Sequence, residues 1–254
     1  MSLWRTGLER LSNRVVLERR LPAAFGGGRI SVSPASALKF WYPNLERVDP
    51  SLLSAAGELV RPGDVVWDIG ANVGLFTFAA AALAGPKGKV LALEPDIWLT
   101  GLLHRTVARN RKAWAPVDVL SVAASDQVGV CHLKIAARGR SSNFLGEGNS
   151  QSGGARAVQS TLSVTLDWML GIYLPPHVLK IDVEGAEALV LKGATRLLSE
   201  IRPRILCEVN DNSNSDVSAI LKEFGYSLYD ADQPKASRRE LPSAVWNTIA
   251  YPAA

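Results

Sequence analysis

Residues 64–76 read DVVWDIGANVGLF: an apolar strand carrying a carboxylate at Asp68, then glycines at Gly70 and Gly74 with Asn72 between them. VVWDI (65–69) has strand character and GLFTFAAAALA (74–84) has helix character, so the glycines mark a strand-to-helix turn. The alternation recurs downstream. Strand KVLALEP (89–95) precedes helix IWLTGLLHRTVARNR (97–111), and strand VDVLSVAAS (117–125) leads into a second short strand, VCHLKIA (130–136). Strand HVLKIDV (177–183) precedes helix AEALVLKGATRLLSE, and strand RILCEVN (204–210) precedes helix SDVSAILKEFG, closed by Gly225. Apolar strands alternating with amphipathic helices predict an α/β fold, with helices on both faces of a mostly parallel sheet. YSLYDAD and SAVWNTIAYP have no helix between them and predict an antiparallel C-terminal hairpin at one sheet edge.

The composition fits this. A chain of 254 residues, 47% hydrophobic and 20% charged, suits one core and excludes a disordered protein. No apolar run approaches the ~18 residues of a membrane helix, and the basic N-terminus MSLWRTGLERLSNRVVLERRL lacks a signal-peptide apolar region, which predicts a cytoplasmic protein. Arg5, Arg10, Arg14, Arg19 and Arg20 alternate with leucines and valines at near-helical spacing, predicting a helix packed on the domain with a solvated basic face. A helix lying on a membrane surface or on nucleic acid is the alternative. VDPSLLSAAGELV predicts a helix beginning after Asp49 with Pro50 in its first turn. Residues 1–57 are therefore expected to form a helical and strand/loop cap on a main domain at 58–254. Residues 137–160, rich in Gly and Ser and without a period, are expected as a lid-like insertion. Cys131 and Cys207 are isolated and read as buried thiols.

In doubly wound sheets, ligands bind beyond the carboxyl ends of the strands, where the strand order reverses. Glycines at 70 and 74 would let backbone approach such a ligand, and a helix N-terminus offers free N–H groups. A tight turn without a ligand would need the same glycines. The dinucleotide fingerprint GxGxxG is absent. A carboxylate repels a pyrophosphate but attracts an ammonium group, so Asp68 favours a zwitterionic, sulfonium-bearing ligand over NAD. Glu94, 20 positions after Gly74, ends the next strand, where it can accept hydrogen bonds from ribose hydroxyls. Asp126 ends the third strand, where it can accept from an adenine amino group.

VVWDIGANVGLFTFAAA, VLALEPD, AASDQVG, TLDWML, LKIDVEGAEALVLKGA and RPRILCEVN resemble, in this order, the FkbM-type S-adenosylmethionine-dependent methyltransferases. The resemblance covers roughly residues 58–210 and rests most on KIDVEGAE. It implies the Rossmann-like class I methyltransferase fold, with a mostly parallel seven-stranded sheet, and S-adenosylmethionine as cofactor. By the same resemblance, Asp68, Gly70, Asn72 and Gly74 surround the methionine end, Glu94 meets the ribose and Asp126 lies near the adenine. The reaction implied is O-methylation of a hydroxyl on a sugar, glycan or small natural product.

An aliphatic hydroxyl, with a pKa comparable to water's roughly 15.7, needs a general base or a metal to react. Candidates follow the fourth and fifth parallel strands. Either Asp182 or Glu184 is the base with Glu208 orienting, or Asp182, Glu208 and Asn210 hold a divalent cation. The metal reading is disfavoured, because the family's motif is not generally read as a metal site. Glu187 is expected to cap its helix or to pair with Lys180 or Lys192. His104 and His177 read as structural or surface residues, His132 is unassigned, and Trp168 and Met169 read as core. Arg138, Arg140 and Asn143 of the lid could grip an acceptor. Alternative functions are a nucleic-acid methyltransferase, for which no dedicated binding motif is present, and a non-catalytic S-adenosylmethionine-binding module.

Overall fold

The computed structural model describes residues 15–110, 114–137, 139–145 and 154–253. Strands β1 (Leu17–Arg20) and β2 (Arg29–Val32) form an antiparallel hairpin. This corrects the expected N-terminal helix over Arg19 and Arg20. Burial alternates along Leu17–Arg20, and Gly26 and Gly27 take positive φ, so the glycine turn lets the chain double back. Arg5, Arg10 and Arg14 lie outside the described residues. The helix Pro50–Leu59 starts as expected, with Asp49 Oδ1 accepting from Leu52 N at 3.1 Å.

Strands β3 (Val65–Ile69), β4 (Lys89–Leu93) and β5 (Val117–Leu120) run parallel. The chain then builds a second sheet from β6 (Val122–Ala124), β7 (Gly129–Ala136), β8 (Phe144–Leu145) and β9 (Ala155–Val164), in the order β6-β9-β7-β8. It returns through β10 (Val178–Ile181), β11 (Arg204–Glu208), β12 (Tyr226–Asp230) and β13 (Asn247–Pro252). The main sheet has seven strands in the order β12-β13-β11-β10-β3-β4-β5, with β13 antiparallel to both of its neighbours. This is the Rossmann-like class I methyltransferase fold, with its C-terminal hairpin at the edge.

Both faces are covered, which is why β3, β4, β10 and β11 read as nearly continuous apolar runs. On one face Val66, Val90, Ala92, Val178 and Leu206 pack under the helices Leu75–Ala84 and Ile97–Asn110 and under Ile30, Val32, Phe40 and Leu45 of the N-terminal segment. On the other, Trp67, Ile69, Leu91, Leu179, Ile205 and Cys207 pack against Val190, Leu191, Leu197, Val217 and Leu221.

The insertion differs from expectation. Ala155–Val164 is a strand paired antiparallel with β7, so only part of 137–160 is loop among the described residues. One side of this strand faces solvent, and the apolar Val158 and Leu162 lie on that exposed side while Gln159, Thr161 and Ser163 lie on the other, which hides the usual alternation. Residues 139–143 are fixed to the N-terminal segment: Arg140 N donates to Ala35 O at 2.8 Å and Ser141 N to Ser36 O at 3.1 Å. Arg138 lies outside the described residues. Two core expectations are also corrected: Trp168 is exposed although Met169 is buried, and Cys131 is half-buried because β7 has an open face.

Candidate active site

The strand order reverses between β3 and β10, so a crevice opens beyond their carboxyl ends. Its lining includes Gly70, Asn72, Glu94, Ala123, Ala124, Leu133 and Phe144, together with Lys39, Phe40, Asp49, Leu52, Asp182, Glu184 and Glu208.

Both glycines of the turn are fixed by the protein itself. Gly70 has φ +78°, and a Cβ there would lie 1.8 Å from the carbonyl oxygen of Asp182. Gly74 has φ +86°, and a Cβ would lie 2.4 Å from the Phe78 ring and 2.6 Å from Leu103. Close packing of turn on strand end therefore demands glycine whether or not a ligand binds. Asn72 also takes positive φ, which asparagine tolerates, and its Oδ1 accepts from Ser36 Oγ.

Asp68 does not line the crevice. It is fully buried; Oδ2 accepts from Thr77 Oγ1 at 2.5 Å, and Oδ1 lies 3.2 Å from Lys180 Nζ. Lys180, also buried, donates to Gly70 O at 2.8 Å and lies 3.3 Å from Asp182 Oδ2. Burial disfavours the ammonium, yet the carboxylates of Asp68 and Asp182 outweigh it and hold the lysine above its ordinary pKa. One cation thus ties the glycine turn to the end of β10. A lysine inside the apolar run VLKI was the sequence signal for this buried counter-charge.

Glu94 sits in the crevice, 5% exposed. Its Oε2 accepts from Asn72 N at 2.8 Å and its Oε1 from Asp96 N at 2.9 Å. Burial pushes the carboxyl up to about 7, against the pull of these two N–H groups. Asp96, not singled out in the sequence, is fully buried and accepts from Arg140 Nη1, from Asn143 Nδ2 at 2.9 Å and from Trp98 N at 2.9 Å. Arg140 and Asn143 are thus spent on roofing the Glu94 side. Asp126 accepts from Ser125 Oγ at 3.1 Å and is not among the lining residues.

Asp182, Glu184 and Glu208 line the same crevice. Ile181 and Cys207 are register partners, so Asp182 and Glu208 leave adjacent strands together. Burial, then Asp182, pushes Glu208 up to about 7. Burial, then Asp182, Glu208 and Glu187, pushes Glu184 up to about 8, but this residue is open to solvent and water screens part of the effect. Glu184 also holds φ +52°, a strained conformation of the kind that gathers at functional sites. Glu187 is 1% exposed, accepting from Gly185 N and from Ser213 Oγ, both at 2.7 Å: it braces the helix start. Asn210 spends its Oδ1 on Asn212 N at 3.0 Å. Among the described residues no three His, Cys, Asp or Glu side chains are grouped so as to hold a metal ion.

The histidines lie elsewhere. His177, at the start of β10, accepts from Val65 N through Nδ1; His104 is exposed; His132 meets Ser160 on the open face of the second sheet.

A crevice of this kind, at the switch point of a seven-stranded sheet with one antiparallel strand, defines the class I methyltransferases. Residues 68–228, more than half the chain, match the Methyltransferase FkbM domain, and the chain belongs to that family of S-adenosylmethionine-dependent enzymes. It is 29% identical over 177 residues to the hexuronic acid methyltransferase AglP of Haloferax volcanii; the match takes in 65% of this chain and spans 64% of the relative's length. Among solved structures it is similar to the methyltransferase FkbM of Methylobacillus flagellatus KT, at 16% identity and a TM-score of 0.45, covering 78% of this chain and 50% of that one. It is also similar to the S-adenosylmethionine-dependent O-methyltransferase of Thermotoga maritima, at 14% identity and a TM-score of 0.43, covering 81% and 65%.

The residues present fit S-adenosylmethionine. Each Glu94 oxygen accepts one backbone N–H and keeps a lone pair for a ribose hydroxyl. Ala123 and Ala124 with Leu133 and Phe144 supply small and apolar surface of the kind a purine ring needs. No helix among the described residues is long and apolar enough to cross a membrane.

Proposed function

We propose that the protein is an S-adenosylmethionine-dependent O-methyltransferase acting on a hydroxyl of a sugar, glycan or small natural product. The observation that carries this is that the carboxylates of Asp182, Glu184 and Glu208 line the same crevice as Glu94 and the glycine turn, with burial raising Glu208 toward neutral pH. The hexuronic acid activity named for the Haloferax volcanii relative supports a saccharide-type acceptor.

S-adenosylmethionine, when bound, supplies an electrophilic methyl carbon; the chain must hold it, orient the acceptor and take up a proton. Glu94 holds the ribose, Gly70 and Asn72 offer the turn to the methionine end, and Asp68 acts from behind by fixing Lys180 against Gly70. Gly74 starts the helix that completes the turn. Asp126, which follows β6 and accepts from Ser125 Oγ, is kept as the residue proposed for the adenine side.

Asp182 is engaged by Lys180. We therefore assign the proton to Glu208, half-buried and raised to about 7, in place of Asp182 or Glu184, and give Glu184 the orienting role. Asp182 keeps Glu208 a better base by repelling its charged form. A divalent cation on Asp182, Glu208 and Asn210 is not part of this account. Glu208→Gln tests it: kcat should fall about 10²- to 10⁴-fold, with cofactor affinity within about twofold of wild type. An unchanged kcat would remove Glu208 from the chemistry.

A further inference from the structure

The acceptor wall of the crevice comes from a segment outside the matched residues 68–228. Leu38–Trp41 is a 3-10 turn held by Phe40 N on Ala37 O and Tyr42 N on Lys39 O, and Arg19 clamps it by donating to Tyr42 O at 3.0 Å and Trp41 O at 3.2 Å. The turn sets Lys39 and Phe40 in the crevice, beside Asp49 and Leu52 from the start of the next helix.

Among the described residues three cationic side chains line the crevice: those of Lys180 and Arg140 are 5% and 17% exposed and paired with buried carboxylates, and that of Lys39 is 44% exposed. Lys180 serves Asp68, Asp182 and Gly70 O; Arg140 serves Asp96. Among the described residues Lys39 Nζ has one acceptor, Asp49 Oδ2 at 2.9 Å, which leaves two of its three N–H donors without a partner there. Lys39 and Glu208 line the same crevice. Asp49 cannot swing away freely, because its Oδ1 caps the helix through Leu52 N.

We propose that Lys39 is a specificity-determining contact for the acceptor, and that the acceptor is a neutral pyranose. A pyranose has apolar C–H faces and a rim of hydroxyl and ring oxygens. Phe40 and Leu52 offer the apolar surface, Lys39 offers donors to the rim, and Asp49 and Glu184 offer acceptors. An acceptor bearing its own carboxylate would meet the carboxyl groups of Asp49, Asp182, Glu184 and Glu208, against lining cations that are each already paired with a carboxylate. This rests on the O-methyl transfer reading above.

The test is steady-state methyl transfer by the full chain to the methyl glycosides of glucose, galactose and mannose, and to that of glucuronic acid, for wild type, Lys39→Met and Lys39→Arg. The expected result is turnover of a neutral glycoside in preference to the glucuronide. Lys39→Met should raise the acceptor KM at least tenfold, with kcat and cofactor affinity within about twofold and the thermal midpoint held, and Lys39→Arg should recover most of the loss. Wild-type turnover with an unchanged KM in Lys39→Met overturns this inference alone. Preference for the glucuronide overturns the neutral class. Turnover of none of the four overturns both this inference and the saccharide reading it rests on.

Discussion

Lys180 Nζ lies 3.2 Å from Asp68 Oδ1 with both side chains buried, and the same ammonium reaches Gly70 O and Asp182. Losing one member of such a pair leaves the other charge without compensation in the core. Lys180→Met should therefore destabilise the protein by about 3–5 kcal/mol in urea unfolding, and adding Asp68→Asn should restore part of it. Equal stabilities of single and double variants would show that the pair is not coupled.

Gly70→Ala should cost on the order of 3 kcal/mol, since φ is +78° and the new Cβ would strike the Asp182 carbonyl. Denaturation midpoints measure this. Gly57, in a helix and with nothing within 4 Å of where a Cβ would stand, is the control, where alanine should stabilise slightly.

Glu94 should matter for the cofactor before it matters for anything else. Glu94→Gln keeps the shape but loses the charge and turns one acceptor into a donor facing the N–H of Asn72 or Asp96. Calorimetric titration with S-adenosylmethionine should show affinity weaker by about 10-fold or more, the order expected from losing charged hydrogen bonds worth roughly 1.5–3 kcal/mol. Retained wild-type affinity would take Glu94 out of the cofactor site.

Glu94 and Glu208 carry native carboxyls raised from 4.5 to about 7, and Glu184 to about 8. At Glu94 and Glu208 the native state therefore binds more protons than the unfolded one between about pH 4.5 and 7, and exposed Glu184 adds less because water screens it. Their contribution to stability is complete below about pH 4.5 and is lost as pH rises through about 7. Glu208→Gln should flatten that decline, read from urea midpoints at pH 5 and pH 8.5. Activity should run the other way, since Glu208 must be ionised to accept a proton: kcat should rise with an apparent pKa near 7, a property of the carboxylate group as a whole. An activity that falls across this range would contradict the base assignment.

Parallel-strand positions were legible in the sequence because strands buried on both faces leave unbroken apolar runs. Val65–Ile69 appears over the residues read for it, and the helix after Asp49 begins at its capping side chain. The basic N-terminus misled because LERR fits a helical stripe and an edge strand equally, and only pairing with Arg29–Val32 decides. The strand Ala155–Val164 was hidden because its pattern runs against its burial: Val158 and Leu162 face solvent, while Gln159, Thr161 and Ser163 take the more buried face. Within the site, the crevice acids Glu94, Asp182, Glu184 and Glu208 were visible as strand-end carboxylates. The burial of Asp68 was not, because it depends on Lys180, more than a hundred positions away and aligned with it only by the parallel register of β3 and β10. Lys39 and Asp49 reach the crevice through tertiary packing alone, and no local pattern marks them.

The central claim is that the crevice transfers methyl from S-adenosylmethionine to a saccharide hydroxyl. Incubation of the full chain with methyl-¹³C S-adenosylmethionine and the four methyl glycosides, followed by NMR location of the label, tests it most directly. The expected product is a labelled methyl ether on a ring hydroxyl, reduced about 10-fold or more in Glu94→Gln at limiting cofactor and slowed in Glu208→Gln. Label in an ester at the glucuronate carboxylate, or cofactor left unconsumed with every glycoside, would contradict it.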